Sequence, residues 1–179
     1  MNVQTMNLFK STFWPRLATV LLLATLSALS GCATVSNQAY HSFSFDGWSD
    51  NPAWSKQVDL LEYSYGDKYP KVRDVVQHKK ESLPYGTGVT ANMTPGEFLF
   101  VKWRIKTTGE EIEVKVDLRS RLPANMFDHR LTFVIDGKQL YVYLVTPQGK
   151  KTDSPPILKT TQSRYYVTYE IYPSNTYKK

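Results

Sequence analysis

Phe98-Leu99-Phe100-Val101-Lys102-Trp103-Arg104-Ile105-Lys106 and Glu111-Ile112-Glu113-Val114-Lys115-Val116-Asp117-Leu118, joined through Thr107-Thr108-Gly109-Glu110, decide the fold. Both arms alternate apolar with polar or charged residues at a period of two, the pattern of half-buried strands. The pair predicts a hairpin. Folding it symmetrically about Thr108-Gly109 sets Ile105 against Ile112, Trp103 against Val114, Val101 against Val116 and Leu99 against Leu118. All eight side chains then share one face, which requires a core to pack on. The opposite face pairs Lys106 with Glu111 and Arg104 with Glu113, contacts of about 0.2–1 kcal/mol each. It also places Lys102 opposite Lys115, a like-charge rung that is tolerable only in solvent. A slip of one residue would turn the whole apolar row into water.

The same pattern continues outward. Arg130–Ile135 and Lys138–Val145 flank Asp136-Gly137, a dipeptide favoured by type I′ turns. A hairpin there sets Phe133 against Leu140 and Leu131 against Val142, with Thr132–Tyr141 and Val134–Gln139 on the other face. Toward the N-terminus, the segment from His41 to Asp46 puts Phe43 and Phe45 on one side, and Asp46-Gly47 opens a loop carrying Trp48 and Trp54. Val58 to Tyr65 reads as a strand with Leu61, Tyr63 and Tyr65 together. Short strands are expected near Val72 and from Thr87 to Ala91. Ser163 to Tyr172 forms the last strand, aligning Tyr165, Val167, Tyr169 and Ile171, after a loop from Thr146 to Ile157. Only Leu122 to Phe127 invites a brief helical turn. Many short strands separated by turns predict an all-β fold. The expectation is an antiparallel β-sandwich, Ig-like or partly closed into a barrel, and the clean apolar face of each hairpin favours the sandwich.

Motifs for chemistry are sparse. Asp128-His129 precedes a strand, but neighbours on an extended chain point to opposite sides and make a poor acid–base pair. No nucleophile elbow is present. His41, His78 and His129 lack metal-ligand spacing. Asp46-Gly47-Trp48-Ser49-Asp50-Asn51 has the composition of a calcium loop without the ligand order of an EF-hand. Lys79-Lys80 and Lys150-Lys151 are short and read as solvated loop charge. The expectation is therefore a binding protein without metal, cofactor or evident small-molecule substrate. The 12 Tyr and 8 Phe carry more information. Tyr141 and Tyr143 lie opposite the core row of their hairpin, and Tyr166 and Tyr172 are placed likewise on the last strand. Either a second layer covers them or they form an exposed aromatic strip for a protein or glycan partner.

The N-terminus is of a different kind. Lys10 and Arg16 precede the apolar run from Leu17 to Leu29, with no acidic residue nearby, and Ser30-Gly31-Cys32 follows at once. A helix over that run would rise roughly 20 Å, too short for a hydrocarbon core of about 30 Å. The layout is that of a processed leader. Leu29-Ser30-Gly31-Cys32 resembles the lipobox of bacterial lipoproteins. That resemblance implies cleavage before Cys32 and acylation of its thiol and new amine. The expected organisation is a leader over 1–31, a lipidated tether over 32–39 and one β-rich domain over 40–179. Two or three acyl chains would hold the protein to the bilayer permanently, and Ala33 after the cysteine implies export to the outer membrane, with the domain on the periplasmic face. Cys32 is the only cysteine, so its acylation leaves no thiol for a disulfide, a nucleophile or a metal.

Removing Lys10 and Arg16 with the leader reduces the net charge of +6 to a mild positive balance. No clustered basic stripe marks a nucleic-acid partner. Val101-Lys102-Trp103-Arg104, Val116-Asp117-Leu118, Arg121-Leu122-Pro123 and Lys138-Gln139-Leu140-Tyr141-Val142-Tyr143-Leu144 look like blocks in uncharacterised proteobacterial lipoproteins, a likeness that brings no activity with it. The functional expectation is a binding or assembly component of the cell envelope. The alternative is a periplasmic inhibitor or immunity protein directed at a toxin or hydrolase.

Overall fold

The computed structural model describes residues 37–47, 53–67, 72–73, 88–150 and 165–179, and Asn37–Lys179 forms one compact unit. The expected features at Cys32, Trp48, Asp50-Asn51, His78, Lys79-Lys80 and Lys151 lie outside the described residues. The described elements are β1 (Ala39–Phe45), the single-turn helix α1 (Trp54–Gln57), β2 (Val58–Tyr65), β3 (Val72–Arg73), β4 (Gly88–Met93), β5 (Phe98–Ile105), β6 (Glu111–Asp117), β7 (Arg130–Asp136), β8 (Gln139–Gly149) and β9 (Tyr166–Tyr172). No helix among these residues is long and apolar enough to cross a membrane.

The strands form two sheets, one in the order β4-β1-β7-β8-β9 and the other β3-β2-β5-β6. Neither closes into a barrel, so the sandwich reading holds and the barrel reading does not. All pairings are antiparallel except β1 with β7, which run parallel from Ser42↔Arg130 to Phe45↔Phe133. The core lies between the sheets. Phe43 and Phe45 meet Tyr63, Tyr65 and Phe133 in ring contacts of 4.8–6.1 Å. Such pairs add about 0.5–1.5 kcal/mol beyond the area that they bury. Trp103 is fully buried, and its indole Nε1 donates to the Gly137 carbonyl at 2.9 Å, joining the hairpin of one sheet to the turn of the other.

Both hairpins keep the expected faces with a register two residues away from the symmetric expectation. Trp103 pairs with Ile112, Val101 with Val114 and Leu99 with Val116. The cause is the turn. Ile105 N–H donates to Glu110 O, and Gly109 N–H to Ile105 O, both at 2.8 Å, so the loop is four residues long with Gly109 at φ +72. Only glycine takes that conformation without a Cβ penalty. The shift moves Lys115 beside Phe100 and Lys102 beside Glu113, which removes the expected like-charge rung. In β7–β8 the two-residue loop is Gly137-Lys138, with Asp136 paired to Gln139. Glycine comes first at φ +55, the pattern of a type II′ turn rather than type I′. A two-residue shift preserves which side chains point inward, since the side-chain period is two.

Three local expectations are corrected. Leu60 rather than Leu61 is buried with Tyr63 and Tyr65, because a bulge between Leu60 and Glu62 adds a residue to β2. Leu122–Phe127 forms turns rather than a helix. The helical turn lies instead at Trp54–Gln57, where no side chain caps it and Trp54 is buried edge-on against Phe45 at 5.1 Å. A four-residue helix has little stability of its own, so tertiary burial of that indole supports it. The last strand begins at Tyr166, three residues later than expected, and leaves Tyr165 exposed in a turn.

On the outer face of the five-stranded sheet, Thr132, Val134, Tyr143 and Val145 are also buried. Thr132 and Tyr143 are cross-strand partners. Neither hydroxyl has a hydrogen-bond partner among the described residues. Burial, with Glu170 and Tyr141 nearby, raises the Tyr143 pKa far above that of an ordinary phenol. A buried hydroxyl without a partner costs about 1–3 kcal/mol. Tyr143→Phe keeps the ring and removes the cost, so this variant is expected to be more stable than the parent by about 1 kcal/mol. Urea denaturation measures it; a lower midpoint would show that the hydroxyl is satisfied.

Candidate binding surfaces

The four tyrosines singled out from the sequence do not form one strip. Tyr141 is half-buried and Tyr143 fully buried on the outer face of β8. Tyr166 is exposed at the start of β9. Tyr172 packs against the core with the Arg121 guanidinium 5.9 Å from its ring centre. Of the two alternatives, cover describes Tyr143 and Tyr172, and exposure describes Tyr166. The reason for Tyr172 is an extra residue in β9: Val142 pairs with Tyr172 while Tyr143 pairs with Glu170, so Ile171 is bulged and the side-chain alternation breaks. Arg121 also donates to the Ile171 carbonyl, fastening the β6–β7 loop to that bulge. A cis Tyr172-Pro173 peptide ends the strand.

The outer face of β5–β6 carries a cluster of charges around Lys102, with Phe98 and Phe100 at one end. The Lys102 ammonium lies 3.0 Å from both Glu111 and Glu113, and Arg104 lies 3.5 Å from Glu111. Hydrogen bonds to the two carboxylates raise the Lys102 pKa, and the bond from Lys102 lowers that of Glu111. Lys106 reaches the largely buried Asp59 at 3.0 Å, and Lys138 joins Glu110 at 2.6 Å. At the opposite end of β5, Lys115 sits 3.8 Å above the Phe98 ring. Nearby, Arg119 donates to Asp117 through two side-chain bonds, which hold that carboxyl down at about 2. Apart from Lys106–Asp59, pairs this exposed contribute little to stability. They set the sign pattern that an approaching partner meets.

Asp128 and His129 do not act together. Asp128 takes the left-handed conformation at φ 55, and His129 Nδ1 donates instead to the Phe127 carbonyl at 2.8 Å. Among the described residues no three His, Cys, Asp or Glu side chains converge on a metal position. His41 is the one buried histidine described. Its Nδ1 donates to the Ala39 carbonyl at 2.7 Å, which fixes the tautomer and leaves Nε2 to accept from the Tyr65 hydroxyl at 3.1 Å. Desolvation lowers its pKa, and nearby His129 adds to the effect.

That depression has a definite sign in stability. The unfolded chain takes up a proton at this position near pH 6.5, and the folded chain only at lower pH. Stability is therefore complete above about pH 6.5 and is lost as pH falls from there to the folded value, by at most about 1.4 kcal/mol per pH unit. Denaturant midpoints from pH 7.5 to 5 should decline, and His41→Gln should flatten the decline. An equal slope in the variant would assign it to other groups.

Residues that sequence reasoning missed are Tyr40 and Phe127, which are exposed on β1 and in the β6–β7 loop. Tyr165, expected in the core row, is exposed as well. Comparison of the chain with protein families, with curated proteins and with solved structures finds no match in any of the three.

Proposed function

We propose that this chain is the precursor of a bacterial lipoprotein. Its β-sandwich, anchored to the outer membrane through acylated Cys32, binds an envelope protein or glycan on the periplasmic side. The observation that carries the reading is Leu29-Ser30-Gly31-Cys32 at the end of an apolar run with basic residues before it. The fold supports it by position: β1 begins at Ala39, seven residues after that cysteine. A fully extended tether of this length spans about 25 Å, so the domain would remain close to its bilayer. The surfaces described above are the open β5–β6 sheet face and an exposed strand end, which suit a macromolecular partner better than a small substrate.

Cys32→Ala is expected to accumulate uncleaved precursor, to abolish incorporation of a fatty-acid label and to change membrane fractionation. A variant that is processed and labelled like the parent would overturn the reading. Crosslinking in intact cells followed by mass spectrometry identifies the partner. An envelope component supports the binding role, whereas a toxin or hydrolase as sole partner would replace it with an inhibitory one.

A further inference from the structure

We infer that the end of the sandwich where the chain enters is a bilayer-contacting surface, with Phe127, Tyr40, Tyr165 and Tyr166 as its interfacial side chains. The inference rests on the lipidated-Cys32 reading and deepens it, because it assigns the domain an orientation on the membrane.

Among the described residues five large hydrophobic side chains are exposed: Tyr40, Val89, Phe127, Tyr165 and Tyr166. Strand directions bring four of them to one end. β1 and β7 run parallel and both begin there, β8 finishes there, and β9 starts beside it with Tyr166 paired to Gly149. Backbone bonds tie the pieces together. Asp128 N–H donates to the Tyr40 carbonyl at 2.8 Å, and Lys150 N–H to the Tyr165 carbonyl at 2.9 Å. Asp128, Arg130 and Tyr166 line one shallow recess.

Phe127 is 56% exposed, and local bonds hold it in that position. Its N–H donates to Asn125 Oδ1 at 2.9 Å, and His129 N–H to the Met126 carbonyl at 2.9 Å. Met126, its neighbour, is fully buried. One residue of the turn thus anchors in the core while the next is presented outward. Aromatic side chains are favoured at the level of lipid headgroups, and Phe127 is presented outward together with three exposed tyrosines rather than singly.

The opposite end has a different character. The Lys106–Gly109 and Gly137-Lys138 turns meet there through the Trp103–Gly137 and Lys138–Glu110 contacts. With their flanking residues they carry Lys106, Glu110, Asp136 and Lys138, and none of the five exposed hydrophobics.

The tether selects the occupant. The Asn37 side chain already donates to the Ala124 carbonyl at 3.5 Å, on the same loop as Phe127. Asn37 lies only five positions after Cys32, a reach of roughly 17 Å at full extension. A cysteine held at the bilayer surface therefore keeps this aromatic end within that distance of the headgroups. Arg130 and Lys150 near the same end suit anionic lipid, opposed by Asp128 and, where the second sheet reaches this end, by Glu97 and Asp117.

The test uses full-length protein, processed in cells and reconstituted in vesicles of phosphatidylethanolamine and phosphatidylglycerol. Acylated Cys32 cannot take a thiol-reactive nitroxide, so Phe127→Cys, Tyr166→Cys and Thr108→Cys each accept one label. At 127 and 166 the label is expected to collide more with oxygen than with an aqueous nickel chelate, and at 108 to show the reverse. Aqueous profiles at all three positions would overturn the inference while leaving the anchor intact. Labelling of the parent protein at Cys32 would remove the anchor and the inference with it. The separate sites guard against one variant that fails to fold.

Discussion

Trp103→Ala is expected to lower the stability of the domain by about 3–5 kcal/mol, the range for truncating a large buried aromatic. Three observations support a value in that range. The side chain is fully buried in the aromatic and aliphatic core between the sheets. On β5 it is paired with Ile112 on one side and Leu60 on the other. Its indole N–H also supplies the bond to Gly137 that links the two sheets. Natural domains are stable by only about 5–15 kcal/mol, so the variant would sit near the edge of folding, with a melting midpoint lower by roughly 10 °C. Trp103→Phe separates the contributions. It retains most of the apolar volume and forfeits the hydrogen bond, for an expected loss of about 1–2 kcal/mol. Denaturant titration of the three proteins gives both values. A midpoint for Trp103→Ala within experimental error of the parent would contradict the core described here.

The second large effect is expected at Gly96. A Cβ built on this residue would lie 2.6 Å from Tyr65 Cδ2 and 2.9 Å from the Gly66 backbone nitrogen. Neither can yield easily. The Tyr65 ring is fully buried between Phe43 and His41, and Gly66 N–H is engaged with the Phe98 carbonyl at 2.8 Å. Gly66 itself sits at φ +68 with its own Cβ position 3.0 Å from Gly96 Cα. The two glycines thus allow a backbone crossing that no side chain can enter. Gly96→Ala is expected to cost about 3 kcal/mol, at the upper end for overpacking a core, although alanine is ordinarily the milder residue in an extended segment. Because Tyr65 holds His41, the variant should also weaken the pH dependence of stability. If Gly96→Ala melts with the parent, the close approach is absent in solution.

The sequence was legible wherever a two-residue period was long enough to be unambiguous. Phe43 with Phe45, the β5–β6 row and the β7–β8 row all point inward as their alternation predicts. It was illegible where a single extra residue breaks the period. The bulges at Leu61 and Ile171 exchange faces within a strand, and nothing in the local composition marks them. Loop length was the other blind spot. Thr107-Thr108-Gly109 and Asp136-Gly137-Lys138 each accommodate two registers that bury the same residues. The choice between them is made by glycine at positive φ and by the cross-strand charges that each register creates. The exposed aromatic end was equally hidden, since exposure of Tyr40, Phe127, Tyr165 and Tyr166 depends on which strand ends come together.

Alternation of apolar and polar residues determined, without any structure, that this chain builds strands with one oily face and must stack them in layers. The apolar run Leu17 to Leu29 and the lone Cys32 after it carry the anchoring proposal for the same reason: each is a local pattern, complete within a few residues. Tertiary structure alone decided that β1 lies beside β7 in parallel, that Tyr143 is enclosed while Tyr166 is open, and that four aromatic rings gather where the chain enters. The parallel pairing and the gathering of the rings depend on contacts between residues more than 80 positions apart, such as Tyr40 with Asp128. Their free energy is realised only when the whole sandwich closes, and no short window of sequence contains it.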